Sequence, residues 1–279
     1  MEKRIHEEQL FSFEQRLKED ERSKATLEKY LRDVRAFQKY ARNEILTKEK
    51  VLDYKTSLLK EYAVTSANSM IAAVNAFFRF CGWTELCVKQ FKVQREAYCL
   101  EEKELTKAEY LRLVETAKRK QNERLELILQ TICGSGIRVS ELPFITVEAV
   151  KKGEAHVRCK GKNRRIFLVS ELRKKLLRYV SERKIKSGSI FITRSGKPIS
   201  RHTIWREMKS LCEQANVLPS KVFPHNLRHL FARIFYGIEK DVIKLADILG
   251  HSNVNTTRIY IVSSGNEHRK KLENMRLII

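Results

Sequence analysis

At 279 residues the chain is long enough for two modest domains, each with its own core. With 56 Lys and Arg against 34 Asp and Glu it carries a formal charge of +22, which disfavours a protein without a polyanionic partner and makes nucleic acid the favoured one. No stretch approaches the ~18 apolar residues of a membrane span, the start has no apolar signal segment, and Cys81, Cys87, Cys99, Cys133, Cys159 and Cys212 form no C-x-x-C pair. The expectation is a cytoplasmic protein with reduced thiols, no membrane, no metal and no disulfide framework.

The chain order predicts a mainly α protein with a small β-hairpin component, in two domains. Residues 1–19 and 48–61 read as amphipathic helices, and so do the runs marked by Leu27, Tyr30, Leu31, Val34, Phe37 and Ala41 and by Met70, Ile71, Val74, Phe77 and Phe78. These make an N-terminal helical bundle over 1–87. Periodicity fails over 88–103, the expected linker, and Thr106-Lys107-Ala108-Glu109 has the form of a capping box that opens an α+β domain over 104–279. There Leu125, Leu127, Ile128 and Ile132 mark a helix stopped by Gly134-Ser135-Gly136. The alternation from Ala155 to Val169, with turn chemistry at Gly161-Lys162-Asn163, predicts a hairpin with Lys160 at its tip.

A short strand follows over Ser189 to Thr193. Ser200 caps a helix carrying Ile204, Met208, Leu211 and Ala215, and Pro224 opens another whose apolar stripe ends at Gly237. Asn255-Thr256-Thr257 are able to cap a last helix carrying Tyr260. The charge follows this division: residues 1–103 carry 20 basic against 17 acidic side chains, a net of +3, and residues 104–279 carry 36 against 17, a net of +19.

Six polar residues of the basic part suit attack on a phosphodiester: Arg138, Lys160, His225, Arg228, His251 and Tyr260. Arginine forks give two hydrogen bonds to one phosphate, a lysine can protonate a departing oxygen, and a tyrosine can be the nucleophile. Each has a plainer explanation. One arginine among 56 basic residues is usually a solvated surface group, Ile259-Tyr260-Ile261-Val262 could be a packing segment, and the run Arg158 to Arg165 could be only a phosphate-binding surface. His225 and His229, four apart, have the spacing of zinc ligands, but Asn226 stands where the zinc-protease pattern needs Glu and no third ligand is signalled. Glu141, three residues after Arg138, is placed to pair with its guanidinium.

Gly136-Ile137-Arg138-Val139-Ser140-Glu141-Leu142, Lys160 in a basic hairpin, Pro224-His225-Asn226-Leu227-Arg228-His229, and Leu249-Gly250-His251-Ser252 through Thr256-Thr257-Arg258-Ile259-Tyr260 together resemble the tyrosine recombinases, the phage integrase family. The segments Thr26 to Tyr40 and Ser66 to Phe80 are similar to that family's helical, SAM-like core-binding domain. The resemblance implies that Tyr260 attacks the scissile phosphate to give a 3′-phosphotyrosyl link, that Arg138, Arg228 and His251 bind phosphoryl oxygens, that His225 assists proton transfer, and that Glu141 supports.

The general acid implied is Lys160 or, two positions on, Lys162; Lys160 is favoured because it precedes Gly161. Pro143 stands where the family has an apolar helical residue, which predicts a shortened helix. Double-stranded DNA is the implied partner, with no cofactor. A homotetramer in the synaptic complex is expected, tied by an exchange helix at about 265–279, with room for an accessory or sister recombinase. The short N-terminal lead suggests a simple member of the Xer type without an arm-binding domain. A type IB topoisomerase and a non-catalytic DNA-binding protein are the competing readings; a mere binder has no need of Tyr260.

Overall fold

The computed structural model describes residues 3–42, 44–93, 104–159, 162–251, 253–258 and 274. It divides into two compact units, Met1–Arg95 and Glu96–Ile279.

Among the described residues the first unit holds four α-helices: α1 (Glu7–Glu19), α2 (Lys24–Ala41), α3 (Lys48–Glu61) and α4 (Val64–Phe80). The hydroxyls of Ser23 and Thr47 cap α2 and α3 by accepting from the backbone N–H of Thr26 and Lys50, satisfying donors that a helix start leaves open. Their apolar faces bury Leu10, Phe13, Val34, Phe37, Ile71, Phe77 and Phe78 in one core. Phe13 meets Phe77 edge-on at 5.4 Å between ring centroids, an arrangement that adds about 0.5–1.5 kcal/mol beyond the burial itself. The Asn75 amide exchanges two hydrogen bonds with the backbone of Val88 (2.8 and 3.0 Å), and Asn68 does the same with Phe91 (2.9 and 2.8 Å). The segment where periodicity fails is therefore still fastened to α4 as far as Phe91.

In the second unit Thr106 and Glu109 form the capping box that opens α5 (Lys107–Arg119), with bonds of 2.8 and 3.1 Å. Helix α6 (Glu123–Ser135) is the centre of the core: Leu125, Leu127, Ile128, Leu129 and Ile132 are all buried, because α5 and three later helices surround it. It ends at Gly136, whose φ of +63° is left-handed backbone. A tight 310 turn, Val139–Phe144, follows, then α7 (Val147–Lys152). Pro143 sits inside that turn, which fits its inability to continue an α-helical ladder.

The sheet is a two-stranded antiparallel hairpin, β1 (Glu154–Cys159) and β2 (Lys162–Phe167), in register Val157↔Arg164 and Cys159↔Lys162. Then come α8 (Ser170–Glu182), α9 (Arg201–Lys209), α10 (Cys212–Ala215), α11 (Pro224–Glu239), α12 (Val242–Leu249) and α13 (Val254–Arg258). No helix among the described residues is long and apolar enough to cross a membrane.

Four local expectations are corrected. The strand over Ser189 to Thr193 is reduced to isolated bridges, Thr146↔Ser189 and Ile192↔Pro198, with no continuous partner. The helix after Ser200 breaks at Ser210, so Leu211 and Ala215 fall at a second, one-turn helix. Gly237 lies inside α11, which runs on to Glu239 and closes on Lys240 at φ +59°. Finally, α13 begins at Val254, so Asn255, Thr256 and Thr257 are within it; the capping oxygen belongs to Asn253, which accepts from the Asn255 N–H at 2.8 Å.

Candidate active site

Arg138 stands at the start of the 310 turn, immediately after the glycine that ends α6 and its neighbour Ile137. Glu141 holds it twice: its carboxylate accepts from the Arg138 backbone N–H (2.7 Å) and from Arg138 Nη1 (2.9 Å). The Glu141 side chain is 4% exposed and that of Arg138 39%, so the carboxylate is the anchor and the guanidinium faces outward. Burial alone would raise the Glu141 pKa. The Arg138 N–H, the Arg164 charge and the bonds from both guanidiniums outweigh it, and the carboxyl titrates below its ordinary value.

Arg228, on α11, is 1% exposed. Its guanidinium donates to the carbonyls of Gly136 and Leu249 (the latter at 2.8 Å), the residues at the C-terminal ends of α6 and α12. Such ends leave carbonyls without intrahelical partners and carry partial negative charge, so one cation satisfies two of them. Gly136 makes this possible: a Cβ there would collide with the Phe231 ring one turn along α11.

Arg228 Nη2 also lies 2.8 Å from His251 Nε2. A guanidinium cannot accept, so Nε2 is the acceptor and the imidazole proton sits on Nδ1, which donates to Thr257 Oγ1 at 2.8 Å. Burial, and after it the charges of Arg228, Arg138 and Arg164, push the His251 pKa down to about 4. His225, one turn before Arg228, reaches the solvent-exposed mouth of the site. Partial burial of its ring, then Arg228 and Arg138, hold it below its ordinary value. His229 packs edge-on against it at 4.7 Å and, chiefly through burial, is pushed down to about 4. All three imidazoles are poised neutral near pH 7, as acceptors or as donors of one proton.

The arrangement opens on a cleft of about 510 Å³ lined by Arg138, Arg228 and His225 on one side and Arg201, His202 and Trp205 of α9 on the other. Of the residues singled out in the sequence, Arg138, Glu141, His225, Arg228 and His251 are thus gathered in one place. Lys160, Tyr260 and all of the exchange segment 265–279 except Asn274 lie outside the described residues.

Two contributors escape a reading of the sequence. Thr257, expected as a helix cap, is fully buried and bonds to His251. Arg164 belongs to a run that reads as plain basic surface, yet it pairs with Glu141 and donates to the Ile248 carbonyl. The alternation of β2 is the signal that could reveal it, since Arg164 shares the inward face with buried Ile166 and Leu168 while Arg165 and Phe167 point out.

Residues 103–267 match the family model described as "Phage integrase family", which is more than half the chain. The chain belongs to the phage integrase family. A second model, "Phage integrase, N-terminal SAM-like domain", matches residues 10–85 of this tyrosine recombinase. Among its relatives is the tyrosine recombinase XerA of Pyrococcus furiosus, 29% identical over 228 residues, which span 78% of this chain and 77% of that one. Two solved structures share the fold of this integrase family member. XerH site-specific recombinase bound to difH substrate superposes with a TM-score of 0.71 at 18% identity, over 95% of this chain and 84% of the other. A lambda integrase tetramer bound to a Holliday junction gives 0.73 at 16% identity, over 91% and 76%.

Proposed function

We propose that this tyrosine recombinase cuts and rejoins double-stranded DNA at specific sites, with Tyr260 as the nucleophile. In this reading the Tyr260 oxygen bonds to the scissile phosphorus as the bond to the 5′-oxygen breaks. Lys160 gives its proton to that oxygen, and the phenol proton passes toward neutral His225. Arg138 and Arg228 face the non-bridging oxygens. His251, whose Nε2 accepts from Arg228, orients that arginine; it donates to a phosphoryl oxygen itself only once Nε2 has released Arg228 and taken up a proton. A free phenol near pKa 10 costs roughly 4 kcal/mol to ionise at pH 7, which a dense positive site offsets. The covalent link conserves the ester energy for rejoining, so the chemistry calls for neither a nucleotide cofactor nor a metal.

The observation that carries this reading is the convergence of Arg138, His225 and Arg228 on one cleft, with His251 bonded to Arg228 behind them, within the segment that matches the family. The net of +19 over residues 104–279 supports DNA as the partner, as do the DNA-bound structures that share the fold. We propose a homotetramer on two paired sites, assembled through the segment 265–279, with the option of a sister recombinase in place of two copies. The test is covalent capture on nicked duplex DNA. Wild type is expected to give a protein–DNA adduct resistant to denaturant and Tyr260→Phe none; an adduct formed by the Phe variant overturns the assignment.

A further inference from the structure

Arg164 is a charged residue on the buried face of a strand, which calls for a reason. Its side chain is 10% exposed, one guanidinium nitrogen is paired with the Glu141 carboxylate, and the other donates to the Ile248 carbonyl near the end of α12. Gly250, left-handed at φ +66°, leaves space for it: a Cβ there would meet Arg164 Cδ at 2.6 Å. One side chain of the hairpin therefore reaches both the anchor of Arg138 and the helix end that leads into His251.

We propose that Arg164 is a positioning residue for phosphate recognition, cancelling the charge of Glu141 so that Arg138 presents a full positive charge to the scissile phosphate. This rests on the reading of Arg138 as a phosphate ligand. Arg138 and Glu141 alone form a closed, neutral pair, whose carboxylate would draw the guanidinium inward and repel an incoming anion. Adding Arg164 gives the three groups a net charge of +1, and the outward member, Arg138, is the one that faces the cleft. The buried Arg164–Glu141 pair is a weak source of stability, since desolvating its two charges offsets most of their attraction. Fold stability therefore gives a poor account of Arg164, and placement of charge at the cleft a better one. By pinning the Ile248 carbonyl, the same side chain also fixes the approach of His251.

The probe is a duplex enriched from a randomised pool by binding to Tyr260→Phe. Wild type is used to map its cleavage point, and it is then resynthesised with either a phosphate or an uncharged methylphosphonate at that position. Adduct formation is timed for wild type, Arg164→Gln, which loses the charge but keeps a donor, and Arg164→Lys, which keeps the charge. Arg164→Gln is expected to be slowed roughly tenfold or more on the phosphate and less than about threefold on the methylphosphonate, where there is no charge to stabilise. Arg164→Lys should stay within about threefold of wild type on both.

Equal slowing of Arg164→Gln on both substrates, or none on the phosphate, overturns the proposal; a variant that failed to fold would show the first pattern, and near-normal methylphosphonate chemistry rules that failure out. Arg138→Ala is the control. If it too is slowed equally on both substrates, Arg138 is not the phosphate ligand and the underlying reading falls with the proposal. If Arg138→Ala is selective and Arg164→Gln is not, only the proposal falls.

Discussion

His251 Nδ1 and Thr257 Oγ1 lie 2.8 Å apart, across six residues that join the end of α12 to α13. This bond leaves His251 Nε2 as the acceptor for Arg228, so a buried hydroxyl sets the tautomer of a candidate catalytic imidazole. Thr257→Val keeps the shape and removes the bond. Adduct formation on nicked DNA should slow by up to about 100-fold, the cost of a misplaced catalytic group, and unfolding should become easier by about 1–3 kcal/mol as the His251 N–H loses its buried acceptor. Thr257→Ser should recover most of the rate; a Ser variant as slow as Val would show that packing, not the hydroxyl, matters here.

Arg138 and Arg228 should part company when stability is measured. Arg228→Ala strips a buried donor from the carbonyls of Gly136 and Leu249, and each orphaned acceptor costs about 1–3 kcal/mol, so a loss of about 3 kcal/mol or more is expected in urea unfolding. Arg138→Ala should cost within about 1 kcal/mol, because the side chain is half-exposed and Arg164 remains on Glu141. Both variants are expected to lose adduct formation.

Stability should fall on mild acidification. His229 and His251 are pushed down to about 4 in the folded chain, against an ordinary value of 6.5. As pH drops the unfolded chain binds those protons first, so the stabilisation is present above about pH 6.5 and is lost progressively toward pH 4. Urea midpoints taken between pH 7.5 and 4.5 should decline over that interval. The decline should be shallower in a His229→Gln, His251→Gln double variant; an unchanged slope would place the protons elsewhere.

Gly136→Ala should be more damaging than an ordinary surface substitution. It forces left-handed backbone on a residue with a Cβ and drives that carbon into the Phe231 ring. A cost of about 2–3 kcal/mol is expected from strain and overpacking together, read as a lowered unfolding midpoint. Alanine at Gly196, which is also left-handed but open to space, should cost only the backbone share.

Much of this molecule is legible in its sequence because its signals are local. Thr106 with Glu109, Ser200 and Pro224 announce helix starts through bonds or ring constraints that span three or four residues. The same locality makes Arg138, Glu141, His225, Arg228 and His251 recognisable as a set. What escapes depends on partners far along the chain. Arg164 meets Glu141 across 23 residues and Ile248 across 84, and no periodicity records such a meeting. Ser189 to Thr193 has strand-like composition, but a strand needs a neighbour, and it finds only single bridges. Gly237 fails to stop α11 because an internal glycine costs only about 1 kcal/mol against a helix whose apolar face packs Phe231, Phe235 and Tyr236 on the next one.

The two carbonyls held by Arg228 bear on how such a chain decays when selection for its chemistry is lifted. A descendant that ceased to recombine but still folded could shed the outward Arg138 at little structural expense, whereas Arg228 joins the ends of two helices and would persist among the last of the set. Its presence in a distant sequence is therefore a record of ancestry and fold, and a poor witness that the enzyme still cuts DNA.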